Sequence, residues 1–225
     1  IVDNDDFEIK NQIIKKGIQL KEWDIEFYRG FLTGLNDAFF IDEEKKNELI
    51  SIEPKCEEII KPLLRGREIK KFGYNFTNHF VIFPHNGTKE DKKKKLIAKK
   101  RIEVEKEYPT IYKHLLKYKD SNSPLVKRDS KGNLQTLIDR ADQGDHWTNL
   151  RNCAYIDVFD IEKIVWLSIS DKPAFALDTN KMYVTAPAYI MVSKCNKYLL
   201  TMLNSKVMEW YLDKVSSSTG QGTNQ

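Results

Sequence analysis

Four apolar runs crowded between residues 154 and 192 constrain the fold most: AYIDVF, KIVWLSI, AFAL and MYVTAPAYIMV. Their β-branched and aromatic residues make each read as a strand. Pro187 confines the last run to a sheet edge or a bulge, because proline cannot donate to a ladder. Immediately afterwards NKYLLTMLNSKVMEWYL places Leu199, Leu203, Val207 and Trp210 on one helical face, capped by Asn196. The tail SSSTGQGTN is polar.

Upstream, the periodicity alternates between the two kinds of element. DNDDFEIKNQIIKKG reads as a short amphipathic helix, with caps at Asn4 and Asp5, apolar Phe7, Ile9, Ile13 and Ile14, and a stop at Gly17. LKEWDIEFYRGF alternates, with Trp23, Ile25, Phe27 and Phe31 on one parity, as a half-buried strand does. A helix or loop follows from Glu43 to Lys61, then short strands near Glu68 to Tyr74 and at HFVIFP. The pattern is helical from Lys92 to Glu107, and Pro109 opens a second helix carrying Ile111, Leu115 and Tyr118. Residues Ser121 to Asn152 read as an excursion of loops, a kind of segment that is usually functional or mobile. The expected fold class is α+β: mixed, with several short, largely antiparallel strands and flanking helices.

Composition excludes several function classes. A chain of 225 residues, 40% hydrophobic and 31% charged, is globular and can bury a core. No run approaches the roughly 18 apolar residues of a membrane span, and IVDNDDFEIK lacks the basic and apolar regions of a signal peptide, so no membrane contact and a cytoplasmic location are expected. Cys56, Cys153 and Cys195 form no C-x-x-C pair, which suggests neither a disulfide framework nor a zinc site. The 37 basic against 33 acidic residues give only +4, too mild to imply a polyanion by itself. The distribution says more: acidic residues crowd Glu43 to Glu58, while KEDKKKKLIAKKR at 89 to 101 is strongly basic. That run reads either as a solvated helix face or as a grip on phosphates.

Enzyme constellations are sparse. His79 and His85 lie six apart without a nearby cysteine and read as structural. The chain contains no glycine-rich phosphate loop and no G-x-S-x-G elbow. Glu43-Glu44-Lys45 fits the acidic-x-Lys half of a nuclease metal site but lacks an acidic partner in a strand. No catalytic residue and no metal ligand is therefore assigned. In RGFLTGLNDAFFID, at 29 to 42, Gly34 tolerates positive φ, while Asn36 and Asp37 can bond the local backbone. A structural turn is favoured there over an anion cradle, with Thr33 and Asn36 still able to touch a phosphate.

At this point a resemblance carries further. KGIQLKEWDIEFYRGFLTGLNDAFFID at 16 to 42 resembles the opening of the TaqI-like specificity domain, the target-recognition domain that follows an adenine-specific DNA methyltransferase in type IIG restriction-modification enzymes. Similar stretches recur in family order: IIKPLLRGREIKKF from 59, HNGTK from 85, YPTIYKHL from 108, DQGDHWTNLRNCAY from 142, KIVWLSIS from 163 and YLLTMLNSK from 198. The resemblance implies a helical linker over 1–19 from a methyltransferase domain, then a target-recognition domain over 20–225 truncated at its C-terminal end. It implies double-stranded DNA and that methyltransferase domain as partners. S-adenosylmethionine and magnesium would serve the parent enzyme, with no cofactor in this fragment.

Gripping DNA and reading it fall to different residues. For the phosphate backbone the candidates are Arg65, Arg67, Lys70, Lys71, His85, Asn86, Lys89, Arg151 and Asn152, of which Arg65 and Arg67 should share one face unless they pair with Glu57 and Glu58. His85, Asn86, Gly144, Asn149, Arg151 and Asn152, which match the family stretches, should hold the scaffold or position phosphates rather than choose bases. Base readers should lie where the family stretches fall silent. Lys127, Arg128, Lys131, Asn133, Gln135 and Arg140 include the types that pair with guanine and adenine, and Asp178, Asn180 and Lys181 occupy a possible hairpin tip. The competing readings are a protein-interaction module docking to a methyltransferase subunit, as specificity subunits of type I systems do, and a nuclease fragment acting through Glu43 and Lys45.

Overall fold

A computed structural model describes residues 4–90, 98–168, 170 and 172–215. It is an α+β fold with two four-stranded sheets. The first has the order β1 (Ile25–Arg29), β10 (Ala188–Ser193), β7 (Lys163–Leu167), β8 (Phe175–Asp178), antiparallel throughout. The second runs β2 (Phe40–Asp42), β4 (His79–Ile82), β3 (Ile60–Leu64), β9 (Tyr183–Val184), with β3 and β9 parallel. The sheets meet where the chain beyond β1 crosses the chain beyond β9. There Phe31 N donates to Val184 O at 3.0 Å and Ala186 N to Phe31 O at 3.0 Å. A Cβ on Gly30 would lie 2.4 Å from the Thr185 carbonyl carbon, so this crossing requires glycine.

The strand alternation of the first sheet serves two cores. Val165, Ala176 and Ile190 face the main core, where Phe31, Phe83, Phe159 and Tyr183 pack edge to face or stacked at centroid distances of 4.9 to 6.0 Å. Ile164, Phe175 and Met191 face the opposite way, towards Leu199, Leu200 and Leu203 of α6 (Asn196–Leu203). Each fully buried side chain of this size is worth about 1.5 to 3 kcal/mol, so α6 is held by its apolar face. Against the main core lie α2 (Asn36–Phe39), α3 (Glu43–Ile52), α4 (Val104–Glu107) and α5 (Pro109–Leu116). α1 (Asn4–Lys16) is tied to α7 (Lys206–Val215) by the Asp6–Lys214 ion pair at 2.6 Å. No helix among the described residues is long and apolar enough to cross a membrane.

Several expectations are corrected. AYIDVF is not a strand: Ile156–Asp160 forms a 3₁₀ turn, and buried Ile156 and Phe159 lie three apart, on the same side of such a turn. Pro187 sits just before β10, which therefore keeps its ladder donors and occupies an interior position. The terminal helix breaks in two because the Asn204 side chain docks on β8: its Oδ1 accepts from Phe175 N at 3.1 Å and its Nδ2 donates to Phe175 O at 2.8 Å. Val207 is consequently exposed, and Asn196 lies in the first turn of α6, accepting from Ser193 N. In β1, Phe27 is exposed and Tyr28 packs on Tyr155 instead.

The basic run is not a continuous helix. Thr88 and Lys99 form an antiparallel bridge, and residues 98–103 are not helical, α4 starting at Val104; the expectation for residues 91–97 lies outside the described residues. Glu68 to Tyr74 is a 3₁₀ turn, Gly66–Glu68, followed by the isolated bridges Ile69–Tyr74 and Phe72–Ala176. Within it Phe72 has φ of 70°, a left-handed conformation costing on the order of 1 to 3 kcal/mol for a residue with a side chain.

Candidate nucleic-acid interface

The TGLND stretch is a turn built from its own side chains. Thr33 Oγ1 donates to Asn36 Oδ1 at 2.6 Å and accepts from Leu35 N at 3.2 Å. Gly34 has φ of 70°, and a Cβ there would sit 3.2 Å from the side chains of Arg140 and Asp142. The turn feeds α2, whose end is fixed from below: buried His114 donates from Nε2 to the Ala38 carbonyl at 3.0 Å. Burial pushes the His114 imidazole down to about 4, keeping it neutral.

Across from this turn stands the hairpin of β5 (Lys127–Arg128) and β6 (Leu134–Gln135). Its tip is organised by one carboxylate. Asp129 Oδ1 accepts from Lys131 N at 2.8 Å and Asn133 N at 2.9 Å, while Oδ2 accepts from Asn133 Nδ2 and Gln135 Nε2. The backbone bond from Asn133 is the foremost of the contacts that hold its carboxyl below the usual range. Gly132, at φ of 85°, closes the turn, and Arg128 Nη1 donates to its carbonyl at 2.7 Å. Turn and hairpin enclose an open cleft of about 490 Å³, lined among others by Asn36, Asp37, Lys127, Arg128 and Gln135. Lys127 reaches across it to Asp37 at 2.7 Å, an exposed pair that another anion can displace. Lys131 and Asn133 are exposed at the hairpin tip.

Beside the cleft the chain makes a buried polar hub. Fully buried Asn149 donates to the carbonyls of Ile102, His85 and Pro84 and accepts from Arg101 and Thr148. Asn86, also buried, accepts from Asp145 N at 2.8 Å and donates to Asn152. Arg140, only 6% exposed, bonds the Trp147 and Asn149 carbonyls and lies 4.6 Å over the Phe39 ring. Burial lowers its guanidinium to about 10. In this position Arg140 cannot reach a base edge and acts instead as a tie between α2 and the 142–150 loop. Arg151 remains exposed, paired with cleft-lining Asp142 at 3.1 Å.

The remaining candidates divide in the same way. Arg65 is not paired with Glu57 or Glu58. It bonds Glu68 at 2.7 Å, Thr77 and His79, and the 3₁₀ turn separates it from exposed Arg67; Glu58 instead accepts from the Tyr108 hydroxyl. Lys70 is exposed, and Lys71 pairs with Glu209 on α7 at 2.7 Å. Asp178 is fully buried against Lys163 at 2.5 Å and accepts from Tyr74, Asn180 N and Met182 N, so it shapes its loop from inside. Desolvation drives Lys163 below the ordinary amine range, with Asp178 opposing. The 178–182 segment is no hairpin tip but a crossover between the sheets, leaving Asn180 and Lys181 exposed.

His85 accepts from Gly87 N, and burial, then Lys99, lowers its imidazole below its usual range. It lines a second groove of mixed charge, with Lys99, Lys100, Arg101 and Lys106 beside Glu103 and Glu107, near exposed Lys89 in sequence. Of the cleft-lining residues, the sequence reading assigned no site role to Asp37, Tyr118 and Leu125, which carry no signal until α5 and the hairpin fold against the turn.

The nuclease triplet does not assemble: Glu43 accepts from Asn78, and Lys45 pairs with Glu48 at 2.7 Å. Among the described residues no group of three or more histidine, cysteine, aspartate or glutamate side chains could hold a metal ion, so no step through magnesium is derived for this chain.

Comparison with protein families gives a match to the TaqI-like C-terminal specificity domain over residues 61–225. The chain belongs to this family. The match covers the hub, the hairpin and both sheets' later strands, while the turn at 33–37 lies outside it. A specificity domain of this kind serves DNA sequence recognition in restriction-modification enzymes. No curated protein matches the chain.

Proposed function

We propose that this specificity domain reads duplex DNA with the 127–135 hairpin and directs adenine methylation, and cleavage as well, carried out by other domains of a type IIG parent enzyme. The observation that carries the reading is the cleft between turn and hairpin. It gathers Lys127, Arg128 and Gln135 at its lining, with Lys131 and Asn133 at the exposed tip, on a rigid base. Arginine pairs bidentately with guanine and glutamine with adenine in the major groove. Arg67, Lys70, Lys89 and Arg151 supply exposed charge for phosphates, which adds affinity without sequence information.

On this reading S-adenosylmethionine binds the methyltransferase part of the parent. The helix α1, with exposed Phe7, Ile9 and Ile14, belongs to the linker that docks there. Fluorescence anisotropy with a degenerate duplex library, followed by sequencing of the bound fraction, tests the proposal. Selection of a defined site by the unaltered chain, with one position relaxed in Arg128→Ala or Gln135→Ala, is the expected result. Binding that remains indifferent to sequence removes the hairpin from the role.

A further inference from the structure

Phe72 stands out because neither packing nor hydrogen bonding accounts for it. Its φ of 70° is one that glycine adopts freely, yet the position is occupied by a phenylalanine, a residue 54% exposed here. The backbone around it is clamped. Phe72 N donates to Phe175 O at 2.8 Å and Phe72 O accepts from Leu177 N at 3.4 Å, so the residue adds a parallel bridge to the outer edge of β8. Glycine would make those bonds equally well, without strain. What the phenylalanine adds is an apolar ring held out from the sheet edge.

The surroundings of that ring are basic. Arg67 and Lys70 are exposed, and Lys70 Nζ donates to the Arg67 carbonyl at 3.2 Å, which holds the ammonium against the 66–73 turn. Lys71 is anchored on Glu209. Tyr74 is joined to Asn180 at 3.0 Å, which places exposed Lys181 on the neighbouring loop. The acidic Glu68 is buried in its pairing with Arg65 and offers no countercharge at the surface. An exposed aromatic residue beside Arg67, Lys70 and Lys181, none of which forms an ion pair among the described residues, fits a polyanion that has apolar faces between its charges. A DNA duplex has that character, with base edges and sugars lying between phosphates.

We propose that Phe72 is a DNA-contacting wedge, held out by a strained turn so that its ring enters a groove while Arg67 and Lys70 meet the phosphates beside it. This rests on the reading of the chain as a duplex-binding domain and adds a contact apart from the hairpin cleft. The strain is then a stability cost retained for binding.

The test combines thermal unfolding with anisotropy on a labelled random-sequence duplex at several salt concentrations, using the chain with Phe72→Gly, Phe72→Trp and Lys70→Ala. Phe72→Gly should melt at the same temperature or a few degrees higher. It should bind about ten-fold more weakly at every salt concentration with an unchanged salt slope, since an apolar contact releases no counterion. Phe72→Trp should retain affinity, and Lys70→Ala should reduce the slope by about 0.9. A marked fall in melting temperature in Phe72→Gly would show that the ring serves packing and overturn the inference. Unchanged affinity in that variant would overturn it too, leaving the duplex-binding reading intact. If the unaltered chain fails to bind duplex at low salt, both fall together.

Discussion

The polar hub around Asn149 and the hairpin around Asp129 are both networks built on a single side chain, and they serve opposite ends. In the hub the polar side chains are turned inward: Asn149 is fully buried and ties three separate carbonyls, Arg140 Nη2 bonds the Trp147 and Asn149 carbonyls, and Asn86 accepts from Asp145 N. In the hairpin Asp129 binds the turn from within and leaves Lys131 and Asn133 facing solvent at its tip. Buried polar groups must be satisfied by the protein itself, so the hub can change little without loss of structure. Exposed ones are satisfied by water and can be exchanged for a ligand's. A buried polar base carrying an exposed hairpin is an arrangement in which the outer side chains can be exchanged without loss of the fold.

That contrast can be broken most readily at the hub. Asn149→Ala removes donors from three buried carbonyls and should destabilise the chain by about 3 kcal/mol in denaturant unfolding; a loss below 1 kcal/mol would mean that the hub is not a keystone. Gly144→Ala would place a Cβ 2.5 Å from Asn86 Oδ1 and 2.7 Å from the Leu150 carbonyl oxygen. About 2 kcal/mol of overpacking strain is expected from such a clash.

Acid provides a third probe, beneath the cleft. His114 is held neutral down to about pH 4 in the folded chain, whereas an unfolded histidine titrates near its ordinary value of 6.5. Between those limits the unfolded state binds more protons, so stability should fall as pH drops from 6.5 towards 4. The size is on the order of 2 kcal/mol. His114→Gln should flatten that part of the stability profile; an unchanged slope would exclude His114 as its source.

Hairpin variants should behave in the reverse manner. Arg128→Ala and Gln135→Ala are expected to change folding stability by less than about 0.5 kcal/mol, yet to cost about 1 to 3 kcal/mol of discrimination at one base position, measured as the ratio of affinities for preferred and altered duplexes. If either variant unfolds the chain as Asn149→Ala does, the division between base and reader fails.

The amino-acid sequence by itself determined the local elements. Pro109 starts α5 and Gly17 follows the end of α1 as expected, and KIVWL, FALD and AYIMVS form strands, because fixed φ, glycine termination and β-branched runs act over a few residues. It also marked 121–140 as a stretch carrying residue types that pair with guanine and adenine. Only the tertiary structure decided which polar residues face outward. Arg140 and Asp178 carry the same chemistry as Arg128 and Asp129 in composition, but Phe39, 101 residues away, stacks over the one and Lys163, 15 residues away, closes on the other. Asn204 broke the last helix for the same reason, by bonding to Phe175 on β8. Burial and pairing of a side chain depend on partners that the chain brings near only by folding, and no local periodicity records them.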